Sequence, residues 1–120
     1  MLPDTDVVRL RHMLDAANEA LEFTAGKNRE DLDTDRMLSR AIVRDIEIVG
    51  EAATYVSSAT RDMLPRIPWP HVVGMRNRLI HGYFDVDLDR VWDTVVDDLP
   101  SLMQELRTAL LDLPQETDGT

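Results

Sequence analysis

Apolar side chains recur along this chain at steps of three and four residues, and almost nowhere at steps of two. That periodicity restricts it to helices that bury one face against other helices. The clearest stripe lies between residues 35 and 57, where Leu38, Ile42, Ile46, Val49, Ala53 and Val56 share a face, with Asp33 or Thr34 as N-cap. An earlier stripe of Val7, Leu10, Leu14, Ala17 and Leu21 predicts a helix from Thr5 to Thr24, capped by Asp4 or Thr5 and closed by Gly26 and "KNREDLD". "SSATRDMLPRIPWPH" holds three prolines and reads as a turn or short 3₁₀ piece. It leads into a third helix with Pro70 in its first turn, carrying "HVVGMRNRLIH" and stopping near Gly82. A fourth begins after "DVD", with Asp85 or Asp87 as cap, and aligns Leu88, Trp92, Val95, Leu99, Leu102, Leu106 and Leu110. Pro100 predicts a kink or break within it. The fold class is therefore all-α, an antiparallel bundle of four main helices plus a short irregular or 3₁₀ segment. We expect one domain over residues 1–113 and a frayed tail over 114–120, "PQETDGT".

With 120 residues and 43% apolar content the chain can build one core. It has no cysteine, which excludes disulfides and thiolate metal sites. "MLPDTDVVRL" carries acids where a signal peptide carries basic residues, and no window is long and apolar enough to span a bilayer. A soluble, cytoplasmic protein is expected. The net charge of −10 argues against nucleic-acid binding. Its distribution qualifies that: from Arg61 to His81, Arg61, Arg66, Arg76 and Arg78 face only Asp62, a local +3. An anion could be drawn to that island, or the charges could be scattered over a solvated face.

Within "MRNRLIHGYF", residues 75–84, Arg76 and His81 form R-x4-H, with Tyr83 two positions on. Twelve arginines and three histidines give roughly 0.3 chance matches to R-x4-H. Arg66 and His71 are one such match, with Pro68 and Pro70 between them. Requiring the tyrosine lowers the expectation to roughly 0.005.

The run "IPWPHVVGMRNRLIHGYFDVDLDRVWDTVVDDLP" strongly resembles the HepT-like branch of the HEPN superfamily, small helical ribonuclease toxins with an R-x4-H-x-Y signature. "EIVGEAATYVSS" resembles that family's second-helix segment. The resemblance covers about residues 5 to 113. It implies a metal-independent endoribonuclease toxin, homodimeric, with its cleft between protomers. It also implies a minimal nucleotidyltransferase antitoxin that transfers AMP from ATP onto the motif tyrosine, here Tyr83; ATP is then used by the partner and this chain needs no cofactor.

The residue types suit that chemistry. His81 is the natural acid–base near neutral pH, and Arg76 can hold two non-bridging phosphate oxygens while staying cationic. On a regular helix the two would lie some 140° apart, whereas Asn77 and His81 would share a face; a two-fold dimer axis offers one way to bring arginine and histidine together. Asn77 could then orient His81 or phosphate, or make a polar helix contact. Arg78 is a second phosphate contact or surface charge. His81 also reads as a helix C-cap, Arg76 as a surface ion pair with an acid on the fourth helix, and Tyr83 as an aromatic at the bundle rim. Trp69 and Trp92 read as core or interface anchors rather than base-stacking platforms, Tyr55 as packing, Glu51 as helix packing or as a residue near the cleft, and the methionines as gap-fillers. Three separated histidines make no recognisable metal site. The competing functional reading is a non-catalytic helical partner that presents a tyrosine to a nucleotidyltransferase, which the acidic charge favours.

Overall fold

The computed structural model describes residues 2–80 and 85–111. Its elements are α1 (Asp4–Thr24), α2 (Asp31–Thr34), α3 (Arg36–Thr54), α4 (Ser58–Met63), α5 (Trp69–Val73), α6 (Met75–Leu79), α7 (Leu88–Asp93), a π-helical turn (Thr94–Asp98) and α8 (Leu99–Leu111). Among the described residues the only β-type pairing is an isolated antiparallel bridge between Ile80 and Val86. The fold is an all-α bundle. No described helix is long and apolar enough to cross a membrane. The expected tail, residues 114–120, lies outside the described residues.

α3 is the centre of the bundle, with α1 along one side and α5 and α6 on another. All six residues of its expected stripe are buried, each large aliphatic among them contributing about 1.5–3 kcal/mol. Its cap is Asp35, whose carboxylate accepts from the Leu38 amide at 3.0 Å, rather than Asp33 or Thr34. Those two residues belong instead to α2, a single turn inside the stretch expected to be loop. α1 touches both α3 and α8, so its buried face is wider than one stripe. Leu10, Met13, Ala16, Ala17 and Ala20 form it, while Val7, Leu14 and Leu21 pack half-buried at its edges. The alanines let two neighbouring helices approach closely. α1 begins at Asp4 after an extended Pro3, without a side-chain cap. Gly26 follows its end as expected and is left-handed, at φ +76°.

The proline-rich connection is more regular than expected. Ser57 caps α4 by accepting from the Thr60 amide. Asp6, buried near the start of α1, accepts from the Ser57 amide at 3.1 Å and from the hydroxyls of Ser57 and Thr60. Burial would raise its pKa, but these three donors outweigh burial and hold the carboxyl below its ordinary value. Because the folded-state pKa is depressed, the stability it contributes is present above the unfolded carboxylate range and lost as pH falls through the folded value. Asp6→Asn is expected to cost about 1–2 kcal/mol near neutral pH. The gap from wild type should narrow in acid, as measured by urea unfolding at two pH values.

Asp45 behaves in the opposite sense. It is 2% exposed on α3, and its Oδ2 has no hydrogen-bond partner. Burial, reinforced by Glu19 of α1, pushes its carboxyl up to about 7, against the pull of Arg44. The folded state then holds a proton that the unfolded chain releases near pH 4. Stability is fullest below that pH and falls as pH rises to about 7. Asp45→Asn is expected to stabilise the fold by about 1–2 kcal/mol at pH 8, with the advantage fading towards pH 4 in the same assay.

At Pro100 the helical residues do not break off but run on from Leu88 to Leu111. Pro100 lacks an N–H and its ring would press on the preceding turn, and the π-helical turn just before it absorbs the mismatch, with the Leu99 amide donating to the Thr94 carbonyl. α7 and α8 therefore run on as one irregular helix, which keeps Val95, Leu99, Leu102 and Leu106 in the core. Asp87 is the cap, accepting from the Arg90 amide at 3.1 Å. Trp69 is a core residue whose indole donates to the Leu64 carbonyl at 3.1 Å. Tyr55 is not packed; it is exposed, with Arg9 stacked 5.2 Å from its ring centre.

Candidate functional site

The predicted third helix is two short helices. α5 ends and α6 begins at Gly74, whose φ of −86° and ψ of 0° interrupt the helical register. α6 stops at Leu79, three residues before Gly82, because Ile80 is already extended at φ −119°, ψ 124°. Ile80 bridges to Val86, and the Asp87 amide donates to the Leu79 carbonyl at 2.7 Å. These contacts hold together the two ends of the chain that flank residues 81–84. His81 and Tyr83 lie outside the described residues. The helical register that would put Asn77 and His81 on one face ends before His81.

α5 and α6 lie directly on α3 because α3 carries Gly50 there. A Cβ at Gly50 would stand 3.3 Å from the Val72 carbonyl oxygen and 3.4 Å from that of Val73. Beside this contact runs an open groove of about 430 Å³, walled by Arg44, Glu47, Glu51 and Thr54 from α3 and by Val73, Arg76 and Asn77 from α5 and α6. The Arg76 side chain is 52% exposed, and its Nε donates to Glu47 Oε2 at 3.0 Å. The other oxygen of Glu47 lies 3.6 Å from Arg44 Nη1. One carboxylate thus fixes two guanidiniums at one wall, and each retains further N–H donors for an anion in the groove. The ion-pair partner of Arg76 lies on α3, not on the fourth helix as expected. Of the two readings of Glu51 the structure fits the one near the cleft: it is exposed and lines this groove, and Gly50 makes the helix contact.

Arg78 goes elsewhere. It reaches back over Gly74 and donates from Nη2 to the His71 carbonyl at 2.5 Å. Arg61 is also occupied structurally, donating to the carbonyls of Ala53, Thr54 and Val56 at the end of α3 and stacking on Trp69. The basic island read in residues 61–81 is therefore not one patch. His71, which with Arg66 also matches R-x4-H, pairs with Asp98 at 3.0 Å, and the π-helical turn carries that aspartate. Among the described residues no three histidine, aspartate or glutamate side chains converge as a metal site.

Comparison with known families decides the relationship. The family model described as Ribonuclease HepT-like matches residues 13–109. The chain belongs to this family. As a member of the ribonuclease HepT-like family it is 36% identical over 97 residues to "Putative RNase MJ1380" of Methanocaldococcus jannaschii, covering 81% of this chain and 89% of that protein. It is 35% identical over 101 residues to "Putative RNase TTE0752" of Caldanaerobacter subterraneus, covering 84% and 90%. To "Probable ribonuclease HepT" of Thermococcus cleftensis it is 41% identical over 81 residues, covering 68% and 74%. No solved structure matches the chain.

For this HepT-like ribonuclease, the structure brings Arg76 and Asn77 together at one groove and directs Arg78 away from it. Arg44 and Glu47 were missed by sequence reasoning. The signal that could have found them is the polar stripe on the far side of α3, where Arg40, Arg44, Glu47, Glu51 and Thr54 recur at three- and four-residue steps.

Proposed function

We propose that this chain is the toxin of a toxin–antitoxin pair, an endoribonuclease that cuts RNA without a metal through Arg76 and His81. The observation that carries this reading is Arg76. In a chain of a ribonuclease family, its guanidinium is held by Glu47 at the wall of an open groove, half exposed and with donors to spare. In the proposed step the ribose 2′-hydroxyl loses its proton to a base and attacks the adjacent phosphorus. A P–O bond forms to O2′, the P–O5′ bond breaks, and the departing O5′ takes a proton, leaving a 2′,3′-cyclic phosphate and a 5′-hydroxyl. His81 serves the proton transfers. Arg76 neutralises the charge gathering on the non-bridging oxygens, and Asn77 beside it orients the phosphate. Arg78, tied to the His71 carbonyl, supports the α5–α6 junction and thereby the placement of Arg76. The working unit is a homodimer.

Silencing comes from a minimal nucleotidyltransferase partner. The Tyr83 oxygen attacks the α-phosphorus of ATP bound by that partner; a tyrosyl–AMP bond forms, pyrophosphate leaves, and the phenolic proton is released. The added phosphate competes with RNA for the arginines of the groove. Growth after induced expression tests the reading. Wild type should arrest growth, and Arg76→Ala and His81→Ala should not. Three equally harmless proteins would instead support the non-catalytic partner reading, to which the net charge of −10 lends weight. Mass spectrometry after incubation with the partner and ATP should place the adduct on Tyr83; an adduct elsewhere removes the silencing mechanism.

A further inference from the structure

A second trough, of about 560 Å³, adjoins the Arg76 groove and shares Arg44 and Glu47 with it as a common wall. Arg40 stands on its rim, one helical turn before Arg44, and Val43, Val86 and Leu88 supply its apolar surface. Arg40 and Arg44 are both exposed. Among the described residues Arg40 enters no ion pair, and Arg44 pairs only with Glu47, the carboxylate that also holds Arg76. The two troughs together present three arginines and two glutamates, in a chain whose acids outnumber its basic residues 23 to 13.

We propose that Arg40 and Arg44 form a rail along α3 that grips successive phosphates of a single RNA strand and leads it to Arg76. The inference rests on the ribonuclease reading and names the form of its substrate. Residues four apart on a helix rise about 6 Å, a step on the scale of neighbouring phosphates along an extended strand, so each guanidinium can take one phosphate. The apolar residues between them offer surface to sugars and unstacked bases, which only a single strand presents. A trough of about 560 Å³ has room for one backbone, whereas duplex RNA is met across broad grooves. An acidic protein segment carries negative charge too, but the trough is continuous through Arg44 and Glu47 with the groove of Arg76, which favours the strand that Arg76 is proposed to meet.

The test uses an uncleavable 2′-O-methyl single strand and its duplex. Binding is measured against salt for wild type, Arg40→Gln, Arg44→Gln, the double variant and Arg107→Gln, an exposed control on α8, with circular dichroism to verify folding. The slope of log K on log salt should flatten by roughly 0.7 for each rail arginine and about 1.4 for the double variant. The control should match wild type, and the duplex should bind more weakly than the strand. An unchanged slope in the double variant, an equal loss in the control, or a duplex bound as tightly as the single strand would overturn the rail. Cleavage of an unmodified strand, assayed in parallel, separates the two ideas. Cleavage with an unchanged slope removes the rail alone. A flattened slope without cleavage by wild type keeps the rail and removes the ribonuclease reading.

Discussion

Arg76→Ala is expected to slow RNA cleavage about 10²–10³-fold while moving thermodynamic stability by no more than about 0.5 kcal/mol. The separation follows from where the side chain stands. Its guanidinium is half exposed and its ion pair with Glu47 lies at a groove wall open to water, where such pairs contribute little to stability. Its contribution is to a charge that develops only during the reaction, so its loss should appear in the rate of the chemical step. Arg76→Lys keeps the charge but loses the planar fork that meets two phosphate oxygens at once, and should recover only part of the rate. Glu47→Gln leaves the arginine present but no longer held by charge, and should give a smaller loss than Arg76→Ala. Single-turnover cleavage beside urea unfolding reads both quantities. Equal losses of activity and stability in Arg76→Ala would mean that the residue serves the fold.

Gly50→Val should do what Arg76→Ala does not and damage both. The position faces the carbonyl oxygens of Val72 and Val73 at ordinary to tight contact distance for a Cβ alone, so the methyl groups of valine would have to displace backbone. Overpacking of this kind costs about 2–3 kcal/mol, equivalent to a fall in Tm of roughly 10 °C for a chain of this size. The same displacement lifts α5 and α6 from α3 and parts Arg76 from Glu47. Cleavage should therefore fall even at temperatures where the variant is fully folded. Gly50→Ala, with one carbon against those oxygens, should be milder in both respects. A Gly50→Val variant with wild-type melting and cleavage would show that the α3–α5 contact does not position the site.

The bundle was legible because its helices are amphipathic, and α3, buried along one clean stripe, could be read residue by residue. α1 was read less well because two partners cover it, and a stripe measures only one. The short α4 was misread because its cap, Ser57, is itself held by Asp6 of α1, a contact that no periodicity reports. The third helix looked continuous through Gly74 and on to Gly82, since nothing in its periodicity reports the interruption at Gly74 or the extended Ile80 paired with Val86. At the site, Arg76 and Asn77 could be found from a motif within one segment. Arg44 and Glu47 lie some 30 residues earlier on a surface that resembles any solvated helix face, and only the packing of α5 and α6 at Gly50 turns that face into a wall. Charge misled for a similar reason, because Arg61 and Arg78 spend their donors on backbone carbonyls.

Purified protein incubated with total RNA in excess chelator tests the central claim most directly. Wild type should yield fragments ending in 2′,3′-cyclic phosphate with 5′-hydroxyl partners, and Arg76→Ala, equally folded, should yield almost none. Intact RNA with wild type, cleavage that appears only when a divalent metal is restored, or undiminished cleavage by Arg76→Ala would contradict it.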